Sequence, residues 1–231
     1  MTTPAPRKPI FESFLSEDII GGQEAKPHSR PYMVFVQCLR GNKKKRCGGV
    51  LVQEDFVLTA AHCRGRLINV ILGAHNIRKQ EKTQQVITVR QAIRHPDYKR
   101  KKFSNDIMLL KLEREAKLTA AVRTLSLPWG TAQVRPGELC SVAGWGRVTP
   151  NGRGSNTLQE VELTDAGGQE PRSRGSVLPA FSLQGDSGGP LVCENVIQGL
   201  VSYGRRDGTP PQAFTKVSSF LPWIKETMKK L

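Results

Sequence analysis

The sequence lacks the features that mark several large classes of protein. No stretch approaches the length of a membrane-spanning helix, and residues 1–16 contain no apolar run long enough for a signal peptide. There is no Asn-x-Ser/Thr glycosylation sequon, no internal repeat, and no zinc-type spacing among the five cysteines. We therefore expect no membrane association, no metal site and no cofactor.

The composition favours short strands joined by turns. Of the 231 residues, 38% are hydrophobic, 22 are glycine and 15 are proline, whereas a protein of long helices holds fewer such breakers. Strand-length apolar or alternating runs lie at residues 50–52, 56–58, 68–72 and 107–112. The sequence predicts an all-β protein, either one unit or a fused pair of barrels.

One helix is predicted, at the C-terminus. An apolar stripe with helical spacing is formed by Leu221, Ile224, Met228 and Leu231. Ser218 or Ser219 is expected to cap its start, and Pro222 suits its first turn. Such a stripe is typical of a packing face.

Three short stretches, far apart in the chain, contain the residue types of a nucleophilic acyl-transfer site. They are residues 60–63 (AAHC), 105–107 (NDI) and 185–190 (GDSGGP). A serine hydroxyl is a poor nucleophile unless a neutral imidazole takes its proton, and the imidazole needs a carboxylate to fix its tautomer. The pattern predicts a serine protease with His62 as general base and acid, Asp106 as its orienter and Ser187 as nucleophile.

The glycines around the serine predict a second catalytic element. Because glycine has no side chain, the backbone can turn sharply at these positions. The N–H groups of Gly185 and Ser187 can then point at the oxyanion that develops during the reaction. Taken singly, the three stretches have plain structural interpretations: a core histidine, a turn aspartate and a flexible loop. Taken together, with Cys63 beside His62, they favour the catalytic interpretation.

Further motifs make the chain similar to one family. They are residues 19–22 (IIGG), 27–33 (PHSRPYM), 55–63 (DFVLTAAHC), 72–77 (LGAHNI), 105–110 (NDIMLL) and 142–146 (VAGWG). With these motifs the chain resembles the chymotrypsin-fold serine proteases, and among them the granule-associated branch of granzymes, cathepsin G and mast-cell chymases. The likeness covers about residues 19–164 and 184–231.

The resemblance implies two packed antiparallel β-barrels with a C-terminal helix. A leader-like segment at 1–18 would precede a peptidase domain at 19–231, whose barrels span about 19–123 and 124–231. His62 and Asp106 would come from the first barrel and Ser187 from the second, with the site in the crevice between them.

The cysteines favour disulfides formed in an oxidising compartment. The resemblance implies that Cys47 pairs with Cys63 and Cys140 with Cys193. Cys38 is left over, and a buried thiol is favoured over an intermolecular bridge. A third bridge, usual in relatives, is missing because neither of its cysteines is present.

The resemblance also implies activation by cleavage before Ile19, after which the new ammonium group would pair with Asp186. Glu17 and Asp18 resemble the short acidic propeptide of granule proteases. Secretion or granule storage follows from this likeness, although no signal peptide is recognisable in the chain. Either the leader is missing from this version of the chain, which we favour, or export is unconventional.

The charge is strongly basic, with 35 Lys and Arg against 20 Asp and Glu, a net charge of +15. Such a charge attracts polyanions, and for a granule protease the implied partner is a sulfated proteoglycan. Nucleic acid is less favoured because the basic runs lack interleaved aromatic residues. The other implied partners are protein or peptide substrates and serpin-type inhibitors, and the protease is expected to be a monomer.

Primary specificity is predicted from the family pattern. The pattern places the substrate-binding residues at Phe181, Ser182, Gln184, Gly204 and Gln212. No carboxylate lies among them, so cleavage after Lys or Arg is not expected, and Gln212 is not the arginine of relatives that cleave after Asp. A neutral pocket favours aromatic or large apolar residues, as in a chymase, and leaves Asn, Gln and Met open.

Residues 165–183 depart from the family. Relatives have a helix-bearing segment and a pocket-wall strand there, whereas this shorter stretch is rich in Gly, Pro, Ser and charge. A distorted pocket would impair activity even with the three catalytic residues intact. Two functions therefore stay open: a serine endopeptidase, which we favour, and a catalytically impaired cationic binding protein on the same fold.

Overall fold

The computed structural model describes residues 10–12, 23–130, 134–135, 137–147, 153–164, 186–203 and 213–231. Across these residues the chain forms thirteen strands, two short 3-10 helices and one α-helix. All strand pairs within the two sheets are antiparallel. The predicted all-β class with a single C-terminal helix is confirmed.

Six strands close into a barrel. In spatial order they are β3 (Met33–Arg40), β4 (Lys43–Gln53), β5 (Phe56–Thr59), β8 (Met108–Leu112), β7 (Gln85–Arg94) and β6 (Leu67–Leu72). The residues of β6 show why these strands form a barrel. In β6, Ile68, Val70 and Leu72 are buried and alternate with more exposed residues. One face of each such strand fills the barrel, and closure leaves no unpaired edge.

Seven strands form the second sheet. In spatial order they are β1 (Ile10–Glu12), β13 (Ala213–Lys216), β12 (Val196–Tyr203), β11 (Pro190–Cys193), β9 (Leu139–Gly144), β10 (Gln159–Thr164) and β2 (Gln23–Glu24). The sheet and the barrel share a hydrophobic core. At their junction the rings of Phe35 and Trp145 meet edge to face at 5.4 Å, and Trp145 Nε1 donates to the His75 carbonyl oxygen at 3.0 Å.

The C-terminal helix α1 spans Leu221–Lys229. Leu221 and Ile224 are buried and Met228 packs partly buried against the core, as the stripe predicts, whereas Leu231 lies beyond the helix and is 47% exposed. The predicted serine cap is wrong. Both serines lie in the 3-10 helix Val217–Phe220, which leads directly into α1, so the N-cap residue is Phe220 and no side chain caps the helix.

Disulfides join Cys47 to Cys63 and Cys140 to Cys193, which are the pairs that the resemblance implies. Cys38 lies outside both disulfides. It is a buried thiol on β3, and its Sγ donates to the Lys45 carbonyl oxygen at 3.6 Å. No helix in the described ranges has the length and apolar character needed to cross a bilayer.

The N-terminal strand β1 covers the edge of β13. Ile10 pairs with Thr215, Phe11 with Phe214 and Glu12 with Ala213. An uncovered edge strand exposes a row of N–H and C=O groups that any extended chain can pair with. A segment upstream of Ile19 thus protects one end of the second sheet.

We expect the loss of β1 to expose β13 to solvent. A chain lacking residues 1–12 should exchange the amide hydrogens of β13 at least about tenfold faster than a chain lacking residues 1–9, which retains β1. Peptide-resolved hydrogen exchange measures this, with the amides of β4 as an internal control. Equal exchange of β13 in the two truncated chains would contradict the role of β1.

Candidate active site

His62 and Asp106 form the centre of the site. His62 lies in the 3-10 helix Ala61–Cys63, which follows β5 after one residue. Asp106 lies two residues before the start of β8, the strand that pairs with β5. His62 Nδ1 lies 2.7 Å from Asp106 Oδ2, and the His62 backbone N–H donates to Asp106 Oδ1 at 2.9 Å. Because a carboxylate only accepts, the proton of the neutral ring is on Nδ1 and Nε2 presents its lone pair.

The second sheet completes the surroundings of Asp106, which is fully buried. Ser202 Oγ on β12 donates to Asp106 Oδ2 at 2.6 Å, and Thr215 Oγ1 on β13 donates to the Asp106 backbone carbonyl at 3.1 Å. Before it, Asn105 adopts a left-handed backbone with φ of 55° and donates from Nδ2 to the Asp97 carbonyl at 3.0 Å. These contacts fix the carboxylate against the imidazole ring.

Ser187 is tied to the turn that carries His62. The Ser187 carbonyl oxygen accepts the Gly48 N–H at 2.9 Å, and Gly48 follows Cys47, whose disulfide partner is next to His62. The next residue, Gly188, has φ of +84°, and a Cβ there would lie 2.1 Å from Thr59 Oγ1. Only glycine allows this loop to approach β5 so closely.

The hydroxyl of Ser187 is not engaged with the imidazole. Ser187 is half-buried, and no hydrogen bond links its hydroxyl to the His62 ring, both residues being described. The ring of His62 instead meets Phe103 edge on at 5.6 Å, and Phe103 contacts Tyr203 at 5.4 Å. The structure thus assembles the base and its orienter, with the serine main chain nearby.

Asp186 is a second buried carboxylate, and it lies directly before Ser187. Its Oδ1 accepts the Gly146 N–H at 2.6 Å. A Cβ at Gly144 would lie 1.8 Å from Asp186 Oδ1, and one at Gly146 would lie 2.2 Å from Oδ2. Burial raises the pKa of Asp186 to about 7, although hydrogen bonds from the backbone of Gly146 and Trp145 act to lower it. A neighbouring cation would therefore stabilise the ionised form of the Asp186 carboxylate.

Sequence reasoning missed several of these supporting residues. Gly144 and Gly146 belong to the motif at residues 142–146, but the motif does not reveal that they form the space that Asp186 fills. Ser202 and Thr215 carry no local signal, because they approach Asp106 only after the two sheets pack. Asn105 had a local signal, since asparagine is the ordinary residue most tolerant of left-handed backbone.

Several predicted site residues lie outside the described residues. They are Ile19, Phe181, Ser182, Gln184, Gly185, Gly204 and Gln212. Of the predicted oxyanion pair, only Ser187 is described. The substrate pocket and the activating N-terminus therefore stay predictions.

The chain is similar to known proteins over most of its length. The family model for Trypsin matches residues 19–224. Granzyme H of Homo sapiens is 58% identical over 230 residues, which cover 94% of this chain and 93% of that protein. Cathepsin G of Mus musculus is 52% identical over 230 residues, covering 92% and 86%. A solved structure described as "Structure of GrC" aligns with a TM-score of 0.83 at 54% identity, covering 91% of this chain and all of the other.

We expect the stability of the uncut chain to depend on pH through Asp186. The folded chain holds the Asp186 proton to about pH 7, whereas an unfolded chain releases it near 3.8. The stabilisation from the neutral form is complete below about pH 3.8 and is lost as the pH rises through about 7. The variant Asp186→Asn cannot ionise. Relative to wild type, the variant should therefore become more stable as the pH rises: its free energy of unfolding should increase over that of wild type by up to about 4 kcal/mol between about pH 4 and pH 8.

Urea unfolding at several pH values measures this difference. The matched control is Asp97→Asn, which removes an exposed carboxylate and should show no such trend. If Asp186→Asn and Asp97→Asn follow the same pH dependence, Asp186 does not carry a raised pKa in the folded chain.

Proposed function

Because the chain belongs to the trypsin family of serine proteases, we propose that it is a serine endopeptidase of the granule-stored type. The observation that carries the proposal is the 2.7 Å contact between His62 Nδ1 and the buried Asp106 carboxylate. That contact leaves Nε2 of His62 as a base directed away from Asp106. Ser187 supports the proposal because its main chain is bonded to the strand that a disulfide joins to the His62 turn.

The chemistry is acyl transfer in two halves. Ser187 Oγ attacks the peptide carbonyl carbon while its proton passes to His62 Nε2, and Asp106 stabilises the imidazolium that forms. The backbone N–H groups of Gly185 and Ser187 hold the oxyanion. The C–N bond then breaks as His62 returns the proton to the leaving amine, which gives the acyl-enzyme. Water, deprotonated by His62, releases the carboxylic acid and restores the serine.

Activation would begin with cleavage between Asp18 and Ile19. The new α-ammonium group of Ile19 would pair with Asp186, whose burial and raised pKa make the carboxylate costly to ionise without a cation. A paired and ionised Asp186 would move the adjacent Gly185 and Ser187 into position for the oxyanion. The Ser187 hydroxyl, which makes no hydrogen bond to the His62 ring in the uncut chain, would move with it.

The substrates would be proteins or peptides, cleaved after aromatic or large apolar residues. This follows from Phe181, Ser182, Gln184, Gly204 and Gln212, a set without charge. The described aromatic pair Phe103 and Tyr203, beside the His62 ring, supports an apolar approach to the site. Serpin-type inhibitors, which present a substrate-like loop, would be its regulators, and the protease would act as a monomer.

The net charge of +15 supports storage on a sulfated proteoglycan in secretory granules. It also supports the second candidate function, a cationic binding protein without activity on the same fold. The departure of residues 165–183 from the family favours that second function, whereas the bonded pair of His62 and Asp106 favours the first.

The two functions are separated by labelling with a fluorophosphonate. After trimming to Ile19, one label per chain should attach to Ser187, because the reagent reacts only with an activated serine. The uncut chain should react at least about a hundredfold more slowly. Ser187→Ala is the control for unspecific labelling. A folded, trimmed chain that takes up no label is the binding protein.

Specificity is tested by a positional peptide library with the trimmed enzyme. We expect cleavage mainly after Phe, Tyr, Leu or Met, because an uncharged pocket gives a charged side chain no partner for its lost hydration. Mass spectrometry of the products identifies each scissile bond. Cleavage mainly after Lys, Arg or Asp would contradict the predicted pocket.

A further inference from the structure

A concave pocket of about 460 Å³ opens beside His62. His62 itself lines it, and five other lining residues carry permanent positive charge: Lys45, Arg64, Arg66, Arg94 and Arg100. None of the described residues that line the pocket is acidic. A second depression of about 390 Å³ continues from it and shares Arg64, Arg94 and Arg100.

The four guanidinium groups are available to a ligand. All four arginines are exposed, and none forms a salt bridge with a carboxylate within the described ranges. Lys45 differs, because its Nζ donates to the His62 carbonyl oxygen at 3.2 Å. This bond joins the lining of the pocket to the turn that carries His62. A cluster of uncompensated charge of one sign attracts its opposite.

The backbone that carries the arginines is held in place. Arg94 ends β7, and its guanidinium carbon lies 5.8 Å from the centre of the Tyr98 ring. The Arg66 N–H donates to the Leu39 carbonyl oxygen at 2.7 Å, and Lys99 and Ser104 bridge the ends of the turn that contains Arg100. A ligand therefore meets charges on a prepared surface and orders little more than side chains.

We propose that this pocket receives an acidic side chain of the substrate polypeptide, at a position flanking the scissile bond. The proposal rests on the proposed peptidase function. Guanidinium groups bind carboxylates through paired N–H donors and stay charged at every physiological pH. The enzyme would thus select substrates by an acidic residue near the cut, in addition to the residue in the primary pocket.

A polypeptide suits the pocket better than a sulfated polysaccharide. The pocket includes His62, so an occupant lies where the substrate chain must pass to reach Ser187. Its wall also contains Leu39, Tyr98 and Phe103, whose apolar surface matches a peptide rather than a sugar sulfate. A polysaccharide bound there would block the reaction.

The test uses pairs of quenched fluorescent peptides that differ only by Asp or Asn at one position on either side of the scissile bond. At one position, kcat/KM for the Asp peptide should exceed that for the Asn peptide by about fivefold, the scale of an exposed ion pair. In Arg94→Gln/Arg100→Gln this ratio should fall to near one. In Arg94→Glu it should invert. The ratio should also shrink between about 0.05 M and 0.3 M salt.

Arg123→Gln/Arg135→Gln is the matched control, because it removes the same charge from exposed arginines that do not line the pocket. This control should keep the ratio. Equal loss in both double variants would mean that only the overall field acts, and no Asp preference at any position would overturn the pocket.

If the trimmed chain proves inactive, binding still tests the pocket. A fluorescent Asp peptide should bind Ser187→Ala about fivefold more tightly than its Asn counterpart, and the preference should vanish when Arg94 and Arg100 are replaced in that background. Binding of a sulfated oligosaccharide in the pocket, without any preference for the Asp peptide, overturns the proposal even where labelling of Ser187 supports the peptidase.

Discussion

The structure of the site depends on one buried carboxylate, that of Asp106. A buried carboxylate destabilises a fold by several kcal/mol unless its oxygens are paired. Here the His62 backbone N–H, the His62 ring and the Ser202 hydroxyl all donate to the carboxylate. His62 belongs to the barrel and Ser202 to the second sheet. The same bonds that orient the imidazole therefore also hold the two halves of the molecule in register.

The two buried aspartates, Asp106 and Asp186, differ in the groups that donate hydrogen bonds to them. Asp106 has side-chain donors from both halves, whereas the described donors to Asp186 are backbone N–H groups, and its pKa rises to about 7. Gly144 and Gly146 leave just enough room for the Asp186 carboxylate. The hydrogen bonds of Asp106 are complete in the folded chain, whereas Asp186 would still gain stability from a cation. Of the two carboxylates, only Asp186 can therefore switch the protein between two states.

Local signals predicted much of this molecule. The alternation of Ile68, Val70 and Leu72 predicted β6, and the motifs around His62 and Asp106 single out two residues whose side chains lie in contact. The supports could not be predicted, because Ser202 and Thr215 lie 96 and 109 residues from Asp106 and become neighbours only through packing. The prediction of a serine cap for the C-terminal helix was wrong for a related reason. Local capping rules ignore a preceding 3-10 helix, which already fixes how the chain enters α1.

The pairing of β1 with β13 connects the N-terminal segment to the catalytic centre. Thr215 pairs with Ile10 across the sheet edge, and its hydroxyl donates to the Asp106 carbonyl. In the proposed activation, cleavage before Ile19 turns residues 1–18 into a separate peptide, whose described residues pair with the sheet through a strand of three residues. Such a short pairing does not persist by itself. One cut would therefore both create the ammonium partner of Asp186 and release the edge of the strand that supports Asp106, so that activation would alter both buried carboxylates together.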